Sequence, residues 1–339
     1  MRVGINGAGR MGRLALRAAW DRPEIEFVAI NEPHTPTDVL ATLIEFDSVQ
    51  GRWRPATENG PAELDVDGRA LAVTHDTQPN EIPWAKLGVE LVLECSGQFR
   101  EPAALTGHLD RGARRVVVSA PVSGGPPNIV MGVNHERFDL AKEPVVTAAS
   151  CTTNALAPIV RVLHDAIGIE QGMITTIHAP TNTQSVHDAP HHDPRRARAS
   201  QLSLIPTSTN SAKAIGLIIP ELAGRLDSVA VRAPILNASL TDCSFHVSRR
   251  TTTDEVNSAL QNAAATGPLE HILGFETRPL VSVDYAGDPR SAIVDAGCTR
   301  VVDDRLVKVM AWYDNEWGYA NRMVELACRV ARSDIERNG

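Results

Sequence analysis

Val3-Gly4-Ile5-Asn6-Gly7-Ala8-Gly9-Arg10-Met11-Gly12 is the stretch that decides the fold. Arg2 to Asn6 reads as a short buried strand, and a GxGxxG follows at once. Met11, Leu14, Ala15 and Ala18 then recur at i, i+3, i+4 and i+7, the period of a helix with one apolar face. Asp21-Arg22-Pro23 stops that helix, and a second strand fits Phe27 to Ile30. It ends at Asn31-Glu32, which puts Glu32 twenty positions past Gly12. Strand, glycine turn, helix, strand and acid in this register form a dinucleotide-binding unit. Gly7 allows the tight turn, Gly9 lets backbone approach a pyrophosphate, and Gly12 lets the helix pack on the strand. The helix N-terminus offers free N–H groups to the anion. Glu32 can accept both hydroxyls of an adenosine ribose and would repel a 2′-phosphate, so NAD is favoured over NADP.

Further apolar strands follow. Leu91-Val92-Leu93-Glu94 ends at Cys95-Ser96-Gly97, and Val116-Val117-Val118 ends at Ser119-Ala120-Pro121. Val145-Val146-Thr147 ends at Ala148-Ala149-Ser150. Continuous apolar strands indicate a parallel sheet covered on both faces. Ligands bind at the carboxyl ends of such strands, which nominates Ser96, Gly97 and Ser119. Residues 48–85 are turn-rich and read as a short β excursion. The expected fold is α/β: a doubly wound, Rossmann-type NAD-binding domain over 1–150 and a mixed α+β catalytic domain over 151–314. A helix at about 315–335 is expected to return to the first domain.

Composition agrees with two globular domains: 339 residues, 43% hydrophobic and 22% charged. The net charge of −8 gives no global field for nucleic acid. No apolar run approaches the length of a membrane span, and Met1-Arg2-Val3 does not open a signal peptide. Five widely spaced cysteines with no CxxC argue against a disulfide or zinc framework and for the cytoplasm.

One cysteine stands apart. Ser150-Cys151-Thr152-Thr153-Asn154 leads into an amphipathic run with Leu156, Ile159, Val160 and Leu163. Ser150 fits an N-cap, which places Cys151 in the first turn, where the helix dipole favours a thiolate. Pro158 is expected to kink this helix. A nucleophilic cysteine needs a base, and His178 ends a strand-like run 27 residues on.

Ala149-Ser150-Cys151-Thr152-Thr153-Asn154, with Thr176-Ile177-His178, resembles the phosphorylating glyceraldehyde-3-phosphate dehydrogenase family. The likeness runs from Gly4-Ile5-Asn6-Gly7 to Trp312-Tyr313-Asp314-Asn315-Glu316-Trp317-Gly318-Tyr319. It implies Cys151 as nucleophile and His178 as base. Thr181 and Arg232 would hold the C3 phosphate of glyceraldehyde 3-phosphate. Ser150, Thr152, Arg196 and Thr209, with Asn210 beside them, would form the pocket for inorganic phosphate. Asn315 would fix the nicotinamide carboxamide with Tyr319 packed nearby, and Arg10 and Met11 would form the pyrophosphate turn. The resemblance further implies a cytoplasmic homotetramer.

Departures from the family pattern are Ala8 for an aromatic, Glu32 for aspartate, Ala155 for a second cysteine, and Asn210 where glycine usually follows the phosphate-site threonine. Asn210 is the one to watch, because its φ and bulk bear on the oxyanion pocket. Thr181 argues against the erythrose-4-phosphate dehydrogenases, which lack that threonine. Stretches 46–53, 181–185, 237–243 and 278–285 are similar to the branch associated with arsenic resistance. There arsenate replaces phosphate and a permease exports 1-arseno-3-phosphoglycerate. The alternatives are a housekeeping enzyme of glycolysis or a NAD-binding sensor without catalysis. His187, His191 and His192 lie among arginines, so no metal is expected.

Overall fold

A computed structural model describes residues 1–122, 124–181 and 184–338. The chain divides into two compact units. The first comprises Met1–Ile129, Glu136–Ala149 and Ala320–Gly339; the second comprises Val130–His135 and Ser150–Tyr319. A single cut at 150 therefore does not capture the segment Val130–His135.

The first unit begins β1 (Arg2–Asn6), α1 (Arg10–Ala19), β2 (Glu26–Asn31), α2 (Thr37–Glu45). The β excursion expected over 48–85 is β3 (Ala56–Glu58), β4 (Glu63–Val66) and β5 (Arg69–Thr74), an antiparallel meander that joins β2 through β5. Then come α3 (Trp84–Leu87), β6 (Leu91–Glu94), α4 (Pro102–Asp110), β7 (Arg115–Val118) and β8 (Val145–Thr147). Among the described residues the sheet order is β3-β4-β5-β2-β1-β6-β7-β8. Order reverses between β1 and β6, so the ligand crevice of such a sheet lies beyond their carboxyl ends. Every residue of β6 is buried, as a central parallel strand requires. Trp84, Leu105, Val92 and Val116 build the core beneath.

The second unit opens with α5 (Cys151–Ile167), β9 (Ile169–His178), β10 (Ile205–Ser208), α6 (Ser211–Ile218) and β11 (Leu226–Arg232). It continues with β12 (Ser239–Val247), α7 (Thr253–Ala265), β13 (Leu273–Glu276), β14 (Ala292–Val302) and β15 (Leu306–Tyr313). Its sheet runs β10-β11-β9-β12-β15-β14-β13 and is mixed. β12 alternates buried and half-buried residues without a break, the mark of a strand with one face on the core. α8 (Trp317–Asn338) closes the chain, and its residues from Ala320 group with the first unit.

Pro158 lies inside α5, which continues through it as one helix of 17 residues. Leu156, Pro158, Ile159, Val160 and Leu163 are all buried in it, and this packing outweighs the hydrogen bond that proline removes.

Candidate active site

In the first unit the glycine turn follows β1. Gly7 has φ +91°, and a Cβ there would stand 2.5 Å from the Ser96 backbone, so only glycine fits. Ser96 is held in turn by Glu94, whose Oε1 accepts its N–H at 2.8 Å. At Gly9 a Cβ would meet nothing within 4 Å, and no side chain caps α1. The turn thus presents an open face beside uncapped helix N–H groups, which fits a pyrophosphate. Glu32 closes the turn: Oε2 accepts the Ala8 N–H at 2.9 Å and Oε1 the His34 N–H at 3.2 Å. Arg10 is ion-paired with the buried carboxylate of Asp47. Met11 is half-buried in the first turn of α1, with Gly12 buried behind it. Gly97 takes a left-handed φ of +69°, and Ser119 stands half-buried past the end of β7.

Sequence reasoning did not find what lies behind this turn. Glu94 Oε2 accepts from Asn6 Nδ2 and lies 2.9 Å from His108 Nε2. Trp84 Nε1 donates to His108 Nδ1 at 3.0 Å, so Nε2 carries the proton and donates to Glu94. Asn31 extends the network by donating to Asn6 Oδ1 at 2.8 Å. The glycine turn is therefore backed by a fully buried polar chain at the carboxyl ends of β1, β2 and β6.

In the second unit Ser150 caps α5 and accepts the Thr153 N–H at 3.1 Å. The residue before it, Ala149, has φ 55°, a strained value for a non-glycine residue that helps set the entry angle of the helix. Cys151 Sγ lies 3.6 Å from His178 Nε2, at the end of β9. Burial pushes the Cys151 thiol up, against the lowering influence of Thr152 and Arg232. The helix dipole favours a thiolate at this position, and burial opposes it. Burial and the neighbouring Arg232 push His178 down to about 3, so the ring is neutral at physiological pH.

Arg232 ends β11 and pairs in register with His178 on β9. Its Nη1 stands 2.7 Å from His178 Nδ1 and donates to the Ala179 carbonyl at 2.9 Å. Thr152 is buried and faces Tyr313, 3.1 Å from its hydroxyl. The Tyr313 ring stands edge-on to His178, with centroids 6.0 Å apart. Asn315 has its Oδ1 bound by Ser239 Oγ at 2.9 Å, and Ser239 Oγ accepts the Ala179 N–H at 3.2 Å. That link leaves the Asn315 amide N–H groups to face outward from Ser239. Tyr319 is buried. Neither Tyr313 nor Ser239 was legible as a site residue.

The remaining candidates lie on loops and strand ends. Arg196 donates to Thr207 Oγ1 at 2.7 Å. Thr209 Oγ1 lies 2.7 Å from Ser211 Oγ. Asn210 is exposed at the N-cap of α6 with φ −99°, so it takes no left-handed penalty where the family has glycine. The Thr181 N–H faces Gln184 Oε1 at 3.4 Å, while Asn182 and Thr183 lie outside the described residues. His191 and His192 stack 4.2 Å apart, and among the described residues no cluster of His, Cys, Asp or Glu could hold a metal ion.

Comparison with known proteins gives the family. Residues 1–102 match the family model of the glyceraldehyde 3-phosphate dehydrogenase NAD binding domain, and residues 150–315 match that of its C-terminal domain. The chain is 58% identical over 333 residues to glyceraldehyde-3-phosphate dehydrogenase 3 of Nostoc sp., covering 98% of this chain and 99% of that one. It is 46% identical over 335 residues to glyceraldehyde-3-phosphate dehydrogenase 2 of Streptomyces arenae, covering 98% and 99%. It is 45% identical over 335 residues to glyceraldehyde-3-phosphate dehydrogenase 1 of Bacillus subtilis, covering 99% of each. The chain belongs to the glyceraldehyde 3-phosphate dehydrogenase family, and with it to the NAD-dependent oxidoreductases.

Proposed function

We propose that this chain oxidises glyceraldehyde 3-phosphate through a thioester on Cys151 and passes the acyl group to phosphate or arsenate. The observation that carries this reading is the Cys151 Sγ to His178 Nε2 distance of 3.6 Å. Bound NAD supplies the hydride acceptor. The chain's own residues do the rest. His178 Nε2 takes the thiol proton as sulfur attacks the aldehyde carbon. It returns that proton to the new oxygen, giving the hemithioacetal. When hydride leaves carbon, His178 takes the hydroxyl proton and the thioester forms. The oxyanion then attacks the thioester, sulfur departs, and the His178 proton goes back to sulfur. In this reading Arg232 and Thr181 hold the substrate phosphate, and Ser150, Arg196 and Thr209 serve the attacking oxyanion. Asn315 offers its amide N–H to the carboxamide, and Glu32 accepts from the ribose.

The finer assignment is arsenate as the physiological oxyanion, coupled to an exporter of the arsenylated product. Its support is the likeness of the four stretches 46–53, 181–185, 237–243 and 278–285 to the arsenic-associated branch. A housekeeping role is favoured by the three relatives, whose names carry the dehydrogenase activity alone. A homotetramer is supported by exposed apolar side chains such as Leu202, Leu204 and Leu236, the last 74% exposed. A cytoplasmic site is supported by five free cysteines. No described helix is long and apolar enough to cross a membrane.

The test is initial NADH formation from glyceraldehyde 3-phosphate and NAD with phosphate, with arsenate and with neither. Turnover that needs an oxyanion is the expected result. Equal turnover without one would mean hydrolysis of the thioester and would overturn acyl transfer. A higher kcat/KM for arsenate supports the arsenic assignment; equal or phosphate-favouring values support the housekeeping one.

A further inference from the structure

Glu94 ends β6 as a buried carboxylate, 1% exposed, and both of its oxygens are fully engaged. Oε1 accepts the Ser96 N–H at 2.8 Å and the Ser96 hydroxyl at 2.5 Å. Oε2 accepts from Asn6 Nδ2 at 2.5 Å and from His108 Nε2 at 2.9 Å. The groups behind are ordered in one direction. Thr74 Oγ1 and the Asp76 N–H donate to Asn31 Oδ1, so the other end of that amide donates, and it reaches Asn6 Oδ1. Asn6 is thereby turned so that its Nδ2 meets Glu94. Trp84 Nε1 donates to His108 Nδ1, which leaves the ring proton on Nε2. Every donor runs toward Glu94, and a carboxylate, which only accepts, can end the chain on both oxygens.

What this carboxylate holds is the wall of the glycine turn. A Cβ on Gly7 would stand 2.5 Å from both the N and the Cα of Ser96, so the turn lies directly on that backbone. Gly12 packs as tightly from the other side, its Cβ position 2.1 Å from the Gly7 oxygen. With no slack between them, a small shift of Ser96 moves the turn. The Ser96 hydroxyl is engaged twice: it donates to Glu94 and accepts the Gln98 N–H at 3.1 Å. The turn and its wall thus meet a dinucleotide with backbone, and the position of that backbone is set from beneath. A buried carboxylate is a costly way to fill a core, since apolar side chains of the same volume often hold it at least as well. What they cannot do is grip both donors of Ser96.

We propose that Glu94 is a positioning residue for the dinucleotide: held from behind by Asn6 and His108, it fixes the Ser96 backbone on which the Gly7 turn takes its shape. This rests on the NAD reading of that turn and deepens it. His108 and Trp84 serve the same end one step further back, because they hold Oε2 and so aim Oε1. The effect is on cofactor affinity, because Glu94 and His108 take no part in the proposed chemistry at Cys151.

Calorimetric titration with NAD, and with ADP-ribose, which lacks the nicotinamide, tests this. Glu94→Gln keeps the shape but sets an N–H against a donor whichever way its amide faces. Its Kd should rise about tenfold, equally for both ligands, because a hydrogen bond to a charged group is lost. Its kcat at saturating NAD should stay within about twofold of the wild type, the mark of lost binding alone. His108→Gln keeps a donor for Glu94 and an acceptor for Trp84, so it should bind NAD within about threefold of the wild type, whereas His108→Leu should match Glu94→Gln. A network that only holds the fold together would give the two His108 variants equal affinities. Wild-type affinity in Glu94→Gln, a fall in its kcat at saturating NAD, or equal affinities in the two His108 variants overturns the proposal. Ser96→Ala leaves the core untouched and removes only the hydroxyl grip. It should bind NAD about threefold more weakly, and wild-type affinity there overturns the proposal even where Glu94→Gln does not fold. Wild-type protein that binds neither NAD nor ADP-ribose overturns the NAD reading of the turn instead, so the two failures are distinct.

Discussion

His178 and Arg232 are register partners at the ends of two neighbouring parallel strands, β9 and β11, and their side chains meet at 2.7 Å. The pairing puts a base and a buried cation in contact from positions 54 residues apart. Its consequence is electrical. The ring is kept neutral, and burial raises the thiol opposite it.

Replacement of the nucleophile is the first check. Cys151→Ser retains shape and the N-terminal position in α5, but a hydroxyl gives up its proton far less readily than a thiol. NADH formation should fall by roughly a thousandfold or more. NAD binding, read by quenching of protein fluorescence, should persist. Appreciable turnover by the variant would refute the role of Cys151.

A pH series reports on His178. Its folded value is pushed down to about 3 from an ordinary 6.5, by burial first and Arg232 second. The unfolded chain therefore binds one proton near 6.5 that the folded chain refuses. Stability is fully present above 6.5 and falls as pH drops toward 3. His178→Asn removes that proton from the unfolded state, so its stability should depend on pH less steeply by one proton over this window. Urea unfolding at several pH values measures the slope. Parallel curves for wild type and variant would mean that His178 is not held neutral.

These groups differ in how far they are legible in a linear sequence. Gly7, Gly9, Gly12 and Glu32 are close in sequence, and local spacing suffices to assemble them. Ser150 as N-cap is equally local. The contact between Arg232 and His178 is set by the register of β11 on β9, which no short window encodes. Tyr313 reaches His178 from β15, and Ser239 reaches Asn315 from β12, again through sheet order. The buried network of Glu94, His108, Asn6 and Asn31 is hidden for the same reason. Pro158 is carried inside α5 because propensity is local and packing is not. At Cys151 the dipole that favours a thiolate is visible in sequence, while the burial that opposes it is not.

Glu32 has two duties that a single substitution separates. Its carboxylate ties down the Ala8 N–H, and in the proposed role it also faces the ribose. Glu32→Gln keeps an acceptor for Ala8 but loses the charge that repels a 2′-phosphate. Discrimination against NADP should weaken by about tenfold, read as the ratio of kcat/KM values, with little change in Tm. Glu32→Ala should weaken it too and also lower stability by about 1 kcal/mol, because the Ala8 N–H loses its partner. An unaltered cofactor ratio in both variants would remove Glu32 from the ribose site.

Ser239 tests whether Asn315 works by orientation. The hydroxyl of Ser239 stands between the Ala179 N–H and Asn315 Oδ1, so it fixes which end of the amide faces away. Without it the Asn315 amide is free to turn, and its carbonyl can take the place of its N–H. Ser239→Ala should therefore raise KM for NAD by about tenfold, the worth of one hydrogen bond to a buried polar group. Asn315→Ala should do at least as much. The double variant should cost no more than Asn315→Ala alone, since Ser239 is argued to act only through that amide. Additive losses in the double variant would show that Ser239 serves the site by another route, and Asn315 would then be positioned by the α8 entry that Asp314 caps with its two bonds to the Glu316 and Trp317 N–H groups.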